Sequence, residues 1–164
     1  MTGIEKVVAA VVLFAPCAMT MAQIKVQHLQ EADRPIATAV WAGDTLYVSG
    51  QLASPVTAAD TAKGTPAVYG DTEAQTLSAL TKIQGILKEQ GLTMGDVVMM
   101  HVFMAGDTNG GGKLDFAGMM KSYNKFFGTA DQPNKPARSA MQVAALAAPW
   151  ALVEIEVIAV RSSK

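Results

Sequence analysis

The segment ALVEIEVIAV, residues 151–160, alternates along its length. Val153, Ile155, Val157 and Ala159 fall on one side, and Leu152, Glu154, Glu156, Ile158 and Val160 on the other. A period of two describes a strand, and a strand with one wholly apolar side must bury that side under another layer. The chain therefore has to build a sheet with a covered face and a mixed one. The same contrast recurs elsewhere. In TLYVSGQLA, Tyr47, Ser49 and Gln51 share one side while Leu46, Val48 and Leu52 share the other. In ARSAMQVAALA, Arg138 and Gln142 alternate with Met141 and Val143. A mixed face of Ser, Gln, Arg and Glu among aliphatics is unsuited to open solvent and fits a subunit interface or a pocket wall.

The remaining elements follow from turn and cap signals. IKVQHL and ATAVWAG read as strands, and Gly43-Asp44 is a tight hairpin signal before the strand TLYVSGQLA. After a loop rich in Ser, Pro, Thr and Gly, a helix is predicted from an N-cap at Asp71 to a stop at Gly91. Glu73 favours its positive end, and Ala74, Leu77, Leu80, Ile83 and Leu87 form the apolar stripe. DVVMMHVFMAG is a further strand. A second helix spans KLDFAGMMKSYNKFFG, with Leu114, Ala117, Met120, Tyr123 and Phe127 on one face and Gly128 as its C-cap. Two strands, joined around Pro149, complete a β-β-β-α-β-α-β-β order. This is an α+β domain with both helices on one face of the sheet.

Composition enters where it excludes. The 164 residues are half hydrophobic and carry a formal net charge of −1, which suits one globular domain and gives no electrostatic case for nucleic acid. Residues 1–22 read as a signal peptide. Lys6 precedes the apolar run VVAAVVLFAP, which is too short to span a bilayer at about 20 residues, and the cut falls after Ala22, with Thr20 at the −3 position. Residues 23–164 then form the mature domain, periplasmic or secreted, with no membrane contact after leader removal. Translation from Met19 or Met21 would instead give a cytoplasmic protein. The single cysteine, Cys17, leaves with the leader, so the mature domain has no thiol nucleophile or thiolate metal site. His28 and His101 are distant in sequence and lack a carboxylate at ligand spacing, which disfavours zinc chemistry and a Ser-His-Asp triad.

Among the motifs, GDTNGGGKLD fails the phosphate-loop spacing and has Leu114 after the lysine, so it reads as a flexible loop. His101 reads as a satisfied core or interface residue. Arg138 is the informative charge. It follows a proline-marked turn and has Ala137, Ser139 and Ala140 as neighbours, leaving room for a guanidinium to fork a carboxylate. An ion pair with Glu154 or Glu156 on an adjacent strand is an equally good reading from composition. Two glutamates at i and i+2 repel, so one of them should have a partner or a raised pKa.

TLYVSGQ, GDTEAQT with its helix, HVF, SYNKFFG, PARSAMQVAAL and VEIEVIAV, in this order from about Pro35 to Arg161, resemble the Rid family. These are the reactive intermediate deaminases, also called YjgF-type or translation-inhibitor endoribonuclease-like proteins. The resemblance implies a chorismate-mutase-like fold and a homotrimer with ligand sites between subunits. It also implies hydrolysis of enamines and imines such as 2-aminoacrylate to 2-keto acids and ammonia, without metal or organic cofactor. It puts the substrate-binding arginine at Arg138, the water-positioning glutamate at Glu154, and pocket residues at Ser49 and Gly50. Two positions depart from the family pattern. Ile36 stands where a pocket tyrosine is usual, and Ala140 where many members have a cysteine, so that only its backbone can serve. Two other functions stay open beside deamination. One is a binding module holding a keto acid in the same cleft. The other is a ribonuclease, which the absence of a basic patch disfavours.

Overall fold

The computed structural model describes residues 23–107 and 110–162. The leader at residues 1–22 and part of the DTNGGG loop lie outside the described residues. One six-stranded sheet runs β1-β2-β3-β6-β4-β5. Its strands are β1 (Val26–Leu29), β2 (Ala39–Ala42), β3 (Thr45–Gln51), β4 (Val97–Ala105), β5 (Ala137–Val143) and β6 (Val153–Val160), with α1 (Thr72–Glu89) between β3 and β4 and α2 (Phe116–Tyr123) between β4 and β5. The order in the chain is the expected one. All neighbours are antiparallel except β4 and β5, which the α2 crossover joins in parallel.

The β2–β3 hairpin turns at Gly43-Asp44, and the φ of +61° at Gly43 is a conformation that a side chain would resist. Helix α1 starts where Asp71 accepts a hydrogen bond from the Ala74 N–H at 2.9 Å and ends just before Gly91, whose φ is +71°. A short 3-10 turn at Met94–Asp96, capped by Thr93, then feeds β4.

The apolar side of β6 (Val153, Ile155, Val157, Ala159) is buried under the helices, as its alternation requires. Leu80, Ile83 and Leu87 of α1 seal against it with no exposure, each burial stabilising by about 1.5–3 kcal/mol. The helical stripe is nevertheless rotated from the expected one. Leu77 is 38% exposed and Ala74 only half-buried, while Thr72, Gln75 and Thr76 face inward. These polar groups are tolerated because they are bonded: Thr76 Oγ1 donates to the Thr72 carbonyl at 2.7 Å, and Gln75 bridges three backbone groups. Helix α2 is likewise shorter than expected, starting at the Asp115 cap, and its buried side runs through Met119, Ser122 and Tyr123. Ser122 donates to the Glu73 carbonyl at 2.7 Å, and Lys121 and Lys125 pair with the Glu73 carboxylate, fixing α2 to the start of α1.

The opposite face of the sheet is bare. It presents Tyr47 (48% exposed), Met99, His101, Phe103, Met141 and Ile158.

Candidate functional site

Glu154 lies on this bare face of β6, opposite Phe103 of β4. Its carboxylate rests directly on Gly50 at the end of β3, where a Cβ would collide with Glu154 Oε1, Cδ and Cγ. Gly50 falls in the register shift between Val48 and Gln51, so the glycine and the bulge together make room for the acid. The same shift pairs Gln51 with Ile155 of the covered side, which ends the Tyr47–Ser49–Gln51 alternation read from sequence. Ser49 Oγ donates to the Ala37 carbonyl at 2.7 Å, bringing the Ile36-Ala37 segment beside this corner. Ile36 itself is 68% exposed. Lys82 of α1 donates to the Leu52 carbonyl at 2.8 Å and so pins the chain just beyond Gly50. Burial, and secondarily the charge of Arg34, pulls the Lys82 ammonium below its ordinary pKa. Gly50 and Glu154 thus form one corner of the candidate site, and Ser49, next to Gly50, ties the segment that carries Ile36 and Ala37 to β3.

Arg138 and Ala140 belong elsewhere. In the parallel pairing of β5 with β4, Arg138 stands opposite Met100 and Ala140 opposite Val102, both fully buried on the helix side. Arg138 therefore extends toward α2 rather than onto the mixed face expected for it, and Gln142 shares its side. The mixed face on β5 is formed instead by Ser139, Met141 and Val143. The guanidinium carbon sits 4.3 Å from the centre of the Tyr123 ring and 5.7 Å from that of Phe116. Nη1 points at the Met120 sulfur at 3.2 Å and the Met119 sulfur at 3.8 Å. Burial raises the Tyr123 phenol above its ordinary pKa, a shift that the nearby Arg138 charge opposes. Arg138 has no carboxylate partner among the described residues, where its only side-chain hydrogen bonds are those of Nη1. It opens onto a pocket of about 460 Å³ lined also by Met120, Tyr123, Phe127, Lys135 and Pro136. Phe116, Met120 and Tyr123 were missed as site residues. Their i, i+4, i+7 spacing was the available signal, but it reads equally as core.

The ion-pair alternative for Arg138 fails on topology. Strand β4 lies between β5 and β6, so the two backbones are about 10 Å apart at ordinary strand spacing. Arg138 is level with Val157 through Met100, three residues along β6 from Glu154, and the two side chains leave opposite faces of the sheet. The expected glutamate partner exists for Glu156 instead, whose Oε1 lies 2.9 Å from His101 Nδ1 on the neighbouring strand. That pair lines a cleft of about 240 Å³ on the bare face with Val40, Tyr47, Ser49 and Ile158. Within one copy, Arg138 and Glu154 cannot grip the same small molecule.

A mixed sheet with two helices on one side, a parallel edge strand bearing Arg138, and an acid packed on glycine agree with a YjgF-like, chorismate-mutase-like α+β domain. The crystal structure of Escherichia coli TdcF with bound serine has this fold. It superposes with a TM-score of 0.61 at 33% identity, covering 85% of this chain and 98% of that one. By sequence, E. coli TdcF, described as a "Putative reactive intermediate deaminase", is 34% identical over 140 residues, covering 85% of this chain and 97% of its own. A RutC family protein of Haemophilus influenzae is 39% identical over 127 residues, covering 77% of this chain and 87% of its own. The family model described as Endoribonuclease L-PSP matches residues 27–161. The chain belongs to this RutC/YjgF/Rid (endoribonuclease L-PSP-like) family.

Proposed function

We propose that the protein is a hydrolase of reactive enamines and imines of 2-amino acids, acting at sites completed between copies of a homotrimer. One observation carries the assembly. Arg138 and Glu154 leave opposite faces of one sheet, so a site that uses both needs Arg138 from one copy and Glu154 from the next. The bare face and the guanidinium, which has no carboxylate partner among the described residues, are the two surfaces such an assembly would employ. The name of TdcF as a reactive intermediate deaminase supports the reaction class.

In this reading Arg138 forks the substrate carboxylate and is pre-aimed by the ring of Tyr123 and the sulfur of Met120. An enamine first tautomerises to the imine. Water attacks C2, losing one proton to Glu154, which passes it to nitrogen and so completes a neutral carbinolamine. Glu154 then takes the remaining hydroxyl proton as the carbonyl forms and delivers it to the departing nitrogen, so that C–N cleavage releases ammonia and the 2-keto acid. Water is the only co-reactant. Ser49, Gly50 and the backbone of Ala140 line the pocket.

The test is hydrolysis of imines generated from several amino acids by wild type, Arg138→Ala and Glu154→Gln. Losing a charge-assisted bidentate contact of about 1.5–3 kcal/mol should lower kcat/KM by roughly 10–100-fold in Arg138→Ala. Full activity in either variant contradicts the assignment. The exposed Ile36, which brings no hydroxyl to the pocket, favours a second reading as a keto-acid binding module. That reading predicts saturable binding, lost in Arg138→Ala, with no acceleration by wild type. We also propose export, supported by the leader pattern at residues 1–22. A mature N-terminal mass starting at Gln23 supports it, and one starting at Met1, Met19 or Met21 contradicts it.

A further inference from the structure

Lys135 lies in the PNKP segment that leads into β5, three residues before Arg138. Its stem crosses Gly128, where an added Cβ would strike Lys135 Cε and where a φ of +71° already favours glycine. The glycine thus makes a trough for the lysine stem. Lys135 and Arg138 line the same pocket of about 460 Å³, against the stacked rings of Tyr123 and Phe127, whose centroids are 4.9 Å apart. No carboxylate lines this pocket, and neither cation has an ion-pair partner among the described residues.

Two unneutralised cations facing one cavity repel each other, and an anion with two charged ends relieves that repulsion better than one with a single end. The two are also chemically unlike: the planar guanidinium forks one carboxylate, and the ammonium on its flexible stem follows a second. We propose that Lys135 makes the site selective for dianionic ligands, 2-imino dicarboxylic acids with the α-carboxylate on Arg138 and the distal carboxylate on Lys135. For the reaction the inference rests on the deaminase reading above, with imine and water giving a 2-keto dicarboxylate and ammonia. For binding it does not.

The experiment is calorimetric titration of the full protein with 2-oxoglutarate and with 2-oxobutanoate, on wild type, Lys135→Gln and Lys135→Arg. Wild type should bind 2-oxoglutarate at least about tenfold more tightly at moderate salt. Lys135→Gln should close that gap by weakening the dianion alone, and Lys135→Arg should restore it. Equal affinities in wild type, no binding of either acid, or a gap that survives in Lys135→Gln overturns the inference. An imine-hydrolysis assay run in parallel separates the two claims. Hydrolysis without dianion preference defeats this inference and leaves the deaminase reading intact, whereas dianion preference without hydrolysis defeats the deaminase reading alone.

Discussion

The carboxylate of Glu154 rests on Gly50 across the β3–β6 pair, with no space for a Cβ between them. What an alanine would meet first is Oε1, the far end of a flexible side chain, so the acid would swing away while the backbone stays. Gly50→Ala should therefore leave the melting temperature within a few degrees, a stability change of about 1 kcal/mol or less. It should lower kcat/KM for imine hydrolysis by about tenfold or more, because a displaced water-positioning group misplaces the attack. Thermal denaturation and steady-state kinetics on the one variant check both halves.

Gln75 is 1% exposed and joins three backbone groups: its amide donates to the carbonyls of Gly70 and Trp150, and its Oε1 accepts from the Leu152 N–H. Through the last two it anchors the turn that launches β6, two residues before Glu154. Gln75→Ala strands buried donors and acceptors, at about 1–3 kcal/mol for each group left unsatisfied. The expected loss of stability is about 2–4 kcal/mol. Urea denaturation measures it.

Burial raises the Tyr123 phenol above its ordinary value near 10, with Arg138 opposing the shift. Between the unfolded and folded values the native state holds a proton that the unfolded chain has lost. This contribution to stability is complete below pH 10 and disappears as pH rises through the folded value. Tyr123→Phe keeps the ring under Arg138 but removes the titration, so its stability should fall less steeply than wild type above pH 10. Urea midpoints from pH 8 upward test this. Parallel curves for the two proteins contradict it.

The element order and the covered side of β6 were legible because Val153, Ile155, Val157 and Ala159 repeat at the period of a strand under helices. Asp71 and Gly91 were legible as helix ends because each has a local chemical role. The faces of other elements were not. Alternation in ARSAMQV says that Arg138 and Gln142 share a side, but the register with β4 decides which side, and that register is a long-range fact. On α1, hydrophobicity favoured Leu77 over Gln75, although a glutamine that satisfies three backbone groups is better placed inside than a leucine that satisfies none. The bulge at Gly50 has no signature beyond the glycine itself. For the candidate site, the family resemblance singles out Arg138 and Glu154, whereas their placement on opposite faces of the sheet could not be read from sequence.

That separation makes subunit complementation the most direct measurement. Arg138→Ala and Glu154→Gln proteins are mixed in equal amounts, unfolded and refolded together, and mixed trimers are confirmed by native mass spectrometry. If each site takes Arg138 from one copy and Glu154 from the next, three quarters of randomly assembled trimers are mixed and each regains one of three sites, so about a quarter of the wild-type rate returns. Mixed trimers that remain as inactive as the two parent variants would contradict a site shared between copies.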